Sequence, residues 1–308
     1  MRDAGAVVGA LRAGARANRE ASCRRGSIDV VEVRAEDAGT PAGTLIATGD
    51  LHDSPLHLAR VVRAAGMDEA DPSGSESRTT RACHLTLHEL IHGERLVNGM
   101  DYSYRVLVRA AALKAAFPER VHVLLANHEI AQLIGSAVVK DGVRCNEAFD
   151  EALGATFGDG ADLGAVREAI GGFIRSMALA LRITRPGLPD ILCSHSLPAP
   201  GLMDRFDPGV LERELVDEDF LPRTGSAYLM AWGRGWTPEH FDGLGERWGV
   251  GLFVLGHEKA EAGCMVVGPR AVVLNSDHER GVYSRVDLTR AAGAAEVAGA
   301  CVALSPVE

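Results

Sequence analysis

The pentapeptide Gly49-Asp50-Leu51-His52-Asp53 follows an apolar run, Thr44–Thr48, and opens into a helix-like segment over residues 54–66. An α/β sheet presents polar ligands in this way, because its crevices form outside the carboxyl ends of strands. A carboxylate and an imidazole two residues apart at such an end make half of a metal site. Asp-x-His alone would equally fit a helix N-cap or a satisfied strand-end pair. Its meaning therefore depends on whether other strands end in the same way.

Upstream, residues 28–33 alternate in part like a strand, and the Gly-rich turn at 39–43 leads into Thr44–Thr48. Residues 1–27, rich in Ala and Arg, read as a helical N-terminal extension to one domain over 28–308. Downstream, Leu56, Leu58, Val61, Val62 and Ala65 form a helical stripe closed by Gly66, and the polar stretch 68–81 reads as an exposed loop. Residues 84–91 have strand character and deliver His88, Glu89 and His92; 104–117 is an amphipathic helix; 121–125 is a buried strand running into Asn127-His128-Glu129, with a helix over 130–139. The pattern from 146 to 181 is helical, which suggests a helical insert at about 146–185. Strands at 190–194 and 253–256 deliver His195 and His257, the second after a helix at 237–248, and short strands at 266–267, 271–275, 282–286 and 297–303 finish the chain. Alternation early and strands late predict an α/β fold with two sheets packed between helices.

The composition suits a globular protein: 308 residues, 46% hydrophobic and 24% charged. A formal charge of -10 makes a nucleic-acid footprint unlikely, although a local cationic centre could still attract phosphate. The six cysteines form no C-x-x-C pair, and reduced thiols in the cytoplasm fit them best. No apolar run is long enough to cross a bilayer.

Asp50, His52, Glu89, Asn127, His128, His195 and His257 all fall at strand ends. In this ordered set the sequence resembles the calcineurin-like metallophosphoesterases, and within them the phosphoprotein phosphatase branch. GDLHD is similar to that family's G-D-x-H-G, ANHE to G-N-H-E, CSHSLPAP to H-G-G-L-x-P, and VLGHE to its late histidine motif. The resemblance implies a two-sheet β-sandwich flanked by helices (α-β-β-α) and two divalent metal ions, Mn, Fe or Zn, bridged by a carboxylate and a hydroxide. It further implies that Asp50 and His52 serve one metal, that Asn127, His195 and His257 serve chiefly the other, and that His128 gives a proton to the leaving oxygen. A phosphorylated substrate, phosphoprotein or small phosphoester, follows from the same resemblance. A dinucleoside polyphosphate or other nucleotide is an alternative substrate, and a metal-binding regulatory protein with little catalysis is an alternative role.

The second family motif, G-D-x-x-D-R-G, aligns with His88-Glu89-Leu90-Ile91-His92-Gly93-Glu94. On that register Glu89 stands for the bridging aspartate, His92 for the aspartate that orients the proton donor, and Gly93 for a phosphate-binding arginine. A histidine beside His128 would favour its neutral form, and Glu94 or Glu129 are candidates for the orienting role. Arg234 is the candidate phosphate-binding arginine. Asp53 and Ala126 replace family glycines. His278 is a turn histidine that could reach the site, and residues 212–219 read as a solvated acidic helix face.

Overall fold

The computed structural model describes residues 1–68, 82–140, 142–290 and 292–305. The expected loop at 68–81 therefore lies, beyond Asp68, outside the described residues. Two sheets face each other. One has the order β1 (Arg24–Arg25), β2 (Ile28–Glu32), β8 (Ala180–Arg185), β9 (Leu188–Ser194), β10 (Val250–Leu255), β12 (Ala271–Leu274), β11 (Cys264–Val267). The other runs β14 (Cys301–Ala303), β13 (Val282–Asp287), β3 (Thr44–Thr48), β4 (His84–Leu87), β5 (Val121–Val123). A hairpin of β6 (Val139–Lys140) and β7 (Val143–Arg144) stands apart from both.

The inner strands β3, β4, β5 and β12 are buried on both faces, and successive side chains divide between two cores because their directions alternate. Leu45 and Ala47 of β3 meet Leu181, Ile183, Ile191, Cys193, Leu252 and Val254 between the sheets. Ile46 and Leu85 point the other way, into a core shared with α2 (Pro55–Ala64) and α3 (Tyr104–Ala116), while Phe253 and Leu255 pack with Phe241 and Leu244 of α7 (Pro238–Trp248). The result is the expected α-β-β-α sandwich. At one edge the sheets touch through the backbone, where Leu125 N–H donates to Ala178 and Ala178 N–H to Val123.

Helix α1 (Ala4–Glu20) is capped by the Asp3 carboxylate accepting from Ala6 N–H, and buries Val7, Leu11 and Ala15. Gly14 lets it cross α3 closely, since a Cβ there would stand 2.6 Å from the Ala111 carbonyl. Helix α4 is Asn127–Ile134, ended by Gly135 at φ 68°, so it starts and stops earlier than the sequence suggests. The helical pattern over 146–181 resolves into α5 (Cys145–Phe157) and α6 (Ala161–Ile174), after which the chain turns into β8. Ala180 and Leu181, apolar on adjacent positions, are both buried at the start of the strand, and so short an apolar pair does not separate it by periodicity from the end of a buried helix. Likewise 297–303 is the end of a short helix, α8 (Ala294–Gly299), followed by β14. The acidic stretch 212–219 is not a helix face: its chain bends through a 3-10 turn, Asp217–Phe220, and Asp219 is buried against Arg213 at 2.6 and 2.8 Å.

Candidate metal centre

The parallel strands β3, β4, β5, β9, β10 and β12 all present their carboxyl ends on one side of the sandwich. Asp50 lies where the two sheets converge, bridged to His88 after β4 and to Asn275 after β12. Gly49 permits that meeting, because a Cβ would run into the Leu274 carbonyl. The chain leaves the strands through left-handed backbone at His52 (φ 37°), Asp53 (φ 53°), Glu89 (φ 50°), His92 (φ 60°) and His257 (φ 68°). Side chains normally avoid this region at a cost of about 1–2 kcal/mol per residue. Its concentration at one end of the molecule marks a site whose geometry is held by its surroundings.

The structure brings Asp50, His52, Glu89, Asn127, His128, His195 and His257 together, all buried. Glu89 lies at the middle. Its Oε2 is 2.7 Å from His195 Nε2, and its Oε1 is 3.1 Å from His128 Nδ1 and 4.0 Å from His52 Nε2. His195 Nε2 also lies 2.7 Å from Asn127 Oδ1 and 3.0 Å from His257 Nδ1. Asp50 accepts the His257 backbone N–H at 2.9 Å, and its Oδ1 is 3.4 Å from His195 Nδ1. Two ligand-like groups share Glu89: His52, Glu89 and His128 in one, Glu89, His195 and His257 in the other.

This convergence fits a cation. One ring proton on His195 Nε2 cannot satisfy an amide oxygen, a carboxylate and an imidazole nitrogen at once, whereas a divalent ion takes several N and O donors together. The Asn127 amide can sit either way round. With its oxygen inward it faces the cluster; turned over, its NH2 group would donate to Glu89 at 2.9 and 3.1 Å. The first orientation suits a bound cation, the second a proton-only site.

Electrostatics follow from burial and partners. Burial opposes the His195 imidazolium, but Glu89 and then Asp50 outweigh it and lift the group to about 10. Burial would raise Asp50, and His195 instead holds its carboxyl well below the usual range. Glu89 goes the same way, burial being overcome by His128 and His195. Burial, then the His195 charge, pushes His257 down to about 3. Glu129 is raised to about 8 by burial and by Glu89, and its Oε1 accepts from Leu90 N–H at 2.7 Å. It thus braces the backbone after Glu89; the oxygen that faces His128 belongs to Glu89 itself, at 3.1 Å.

His92 packs with its ring 5.6 Å from that of His128, and its Nδ1 is 2.9 Å from Asp101, an aspartate the sequence did not single out. Gly93 has no room for a side chain: a Cβ would overlap the His52 carbonyl. Arg234 is half exposed and bonded to Glu258 at 2.9 Å. Glu94 and His278 line a cavity of about 790 Å³ beside His52, with Arg95, Lys259, Asp277 and Arg280. Arg95 was also missed. Its NH1 donates to the His52 carbonyl at 2.9 Å and its NH2 to that of Asp277 at 3.0 Å, and no sequence signal marks it because the loops that position it are remote in the chain.

The folded chain can be set beside known proteins. No protein-family profile matches it, and no curated protein matches its sequence. Among solved structures it is similar to a protein serine/threonine phosphatase from Saccharomyces cerevisiae described as having similarity to human phosphatase PP5, with a TM-score of 0.62 at 16% identity, over 92% of this chain and 83% of that one. A cold-active protein-tyrosine phosphatase of a psychrophile, Shewanella sp., superimposes with a TM-score of 0.54 at 15% identity, over 86% and 79% of the two chains. At these identities the likeness is one of fold. The chain has the metallophosphoesterase fold that its motifs imply, shared with protein phosphatases and carrying His and carboxylate clusters at the strand ends.

Proposed function

We propose that the chain is a metal-dependent phosphoesterase acting on phosphomonoesters, in the manner of the serine/threonine protein phosphatases. The observation that carries this reading is the position of Glu89, whose two oxygens face His195 on one side and His128 and His52 on the other. Asp50, His52 and Glu89 would hold one cation, and Glu89, Asn127, His195 and His257 the second. When bound, the pair would neutralise phosphate charge and acidify a water molecule.

The chain's own residues would do the rest. His128 Nδ1 faces Glu89, so its Nε2 is the atom to carry the proton given to the leaving oxygen. Glu89 replaces the missing orienting aspartate, because its extra methylene lets one carboxylate reach both neighbours. His92, backed by Asp101, buttresses the His128 ring. Arg95 is better placed than Arg234 to meet the phosphate, since it lines the cavity beside His52 and its bonds to backbone carbonyls use three of its five N–H groups, whereas Arg234 is paired with Glu258. Among the described residues, the cavity's lining includes no Phe, Tyr or Trp, so a nucleobase would find none of those rings to stack on. That favours a phosphopeptide or simple phosphoester over a nucleotide.

The test is hydrolysis of p-nitrophenyl phosphate and bis-p-nitrophenyl phosphate by metal-stripped protein with manganese, iron or zinc restored. We expect metal-dependent turnover of the monoester, reduced about 10²–10⁴-fold in His128→Ala. Turnover indifferent to metal, or an unaffected His128→Ala, would sink the assignment.

A further inference from the structure

We infer that His88 is a positioning residue that fixes the tautomer of His195, so that His195 turns a lone pair at Nε2 toward Glu89, Asn127 and His257. The inference rests on the proposed metal centre. His88 follows β4 directly and is buried. Its Nε2 is 2.8 Å from the carbonyl oxygen of Thr48. A carbonyl can only accept, so the ring proton of His88 sits on Nε2 and its Nδ1 bears a lone pair. That Nδ1 lies 3.1 Å from Nδ1 of His195. A second proton on His88 would set two N–H groups against each other at that distance, so His195 Nδ1 is the donor.

Once Nδ1 of His195 is committed, Nε2 is its ligand atom, and Nε2 is the nitrogen that meets Glu89 at 2.7 Å and Asn127 at 2.7 Å. The carboxylate Asp50 Oδ1 is the more distant acceptor for His195 Nδ1, at 3.4 Å, and it already accepts the His257 backbone N–H at 2.9 Å. The backbone of Thr48 thus sets a proton position two residues of structure away, through His88. Space for the ring comes from Gly256: a Cβ there would overlap Asp50 Oδ1 and come against His88 Cε1. A metal-binding histidine commonly gives its second N–H to a fixed acceptor, and loss of that partner weakens metal binding about 10–100-fold.

The experiment is calorimetric titration of Mn²⁺ and Zn²⁺ into the metal-stripped full chain, for the wild type and for His88→Asn, His88→Gln and His88→Ala. Asparagine places Oδ1 where Nδ1 stood and keeps the acceptor; glutamine keeps a donor toward Thr48 and loses that acceptor. We expect His88→Asn to bind within about threefold of wild type, and His88→Gln and His88→Ala to weaken one site about 10–100-fold. Imidazole ¹⁵N spectra of the Zn²⁺-loaded proteins should show the remaining His195 proton on Nδ1 in wild type and His88→Asn alike, a readout that mere loss of packing would not preserve. His88→Ala with wild-type affinity, or His88→Asn as weak as His88→Ala, would overturn the inference while leaving the metal centre standing. A wild-type chain that binds neither ion would overturn the proposed function and this inference with it.

Discussion

At the scale of single residues, the candidate site is a contest between burial and partners, and His195 shows how it is settled. Its imidazole, opposed by burial but held by Glu89 and Asp50, stays protonated up to about 10 in the metal-free protein. On the proposed assignment, a cation arriving at Nε2 would have to expel a proton at neutral pH. We expect the affinity of the site containing His195 to rise about tenfold per pH unit between pH 6 and 9, with one proton released as that site fills, measured by calorimetry in buffers of differing ionisation enthalpy; release of no proton would contradict the His195 assignment. The same group gives a sign for stability. A histidine whose folded value lies above the ordinary 6.5 contributes stability that is fully present below that value and is lost as pH rises toward 10. Glu129, raised to about 8, acts in the same direction across part of that window. The metal-free protein should melt at progressively lower temperature from pH 7 to 10, and the metal-loaded protein should show less of this slope.

At the scale of elements, the site is a set of strand ends whose turns are too tight for ordinary backbone. Gly93 tests this. Arginine at this position would restore the family pattern that the sequence resembles, yet a Cβ at residue 93 would overlap the His52 carbonyl and come within 2.9 Å of Asp53 Cβ. Gly93→Arg should therefore lower activity and cost about 1–3 kcal/mol in urea unfolding, and an active, equally stable variant would show that the loop has slack. The strand ends themselves were legible in the sequence because an apolar run stops at each ligand-type residue: Thr48 before Asp50, Leu125 before Asn127, Ser194 before His195, Leu255 before His257. What was not legible depends on contacts between remote segments. Arg95 acquires its place only when the turns carrying His52 and Asp277 close around it. His88 has a partner only once Thr48 and His195 arrive from different sheets. Strand β8 continues a helical pattern for a local reason, since its first two residues, Ala180 and Leu181, are both apolar and buried and the alternation begins only at Arg182.

At the scale of the whole molecule, the two ends of the sandwich divide the polar work. The carboxyl ends of the strands gather ligand-type atoms. The opposite end carries a closed network on β2, β4 and β5. Arg120 can only donate, so its bond at 2.6 Å makes His84 Nε2 an acceptor; His84 Nδ1 then gives its proton to His122 Nε2 at 3.1 Å, and His122 Nδ1 gives its own to Asp29 at 2.8 Å. Both imidazoles are neutral on this reading, in line with burial pushing each of them down. Asp29 ends the chain as an acceptor and also meets Arg24 at 3.0 Å and Lys114 at 3.8 Å. Burial would raise its carboxyl, but the His122 bond, then Arg24 and Lys114, hold it well below the usual range. Cys23 brings a third ligand-type atom close to Asp29 and His122, but a metal there would have to displace two cations already on that carboxylate. The network is architecture: it ties β2 of one sheet to β4 and β5 of the other by side chains, beside the edge where Ala178 joins the two sheets through the backbone. Removing Asp29 leaves a buried lysine, an arginine and a histidine without their shared acceptor, so Asp29→Ala should cost about 3–5 kcal/mol in urea unfolding. Because Asp29 is depressed in the folded state, its contribution is present above about pH 4 and fades as pH falls, so the variant and wild type should converge in acid. Metal affinity at the far end should be little changed in the folded variant. A loss below 1 kcal/mol, or a collapse of metal binding in variant protein that is still folded, would show that the two ends are not independent in this way.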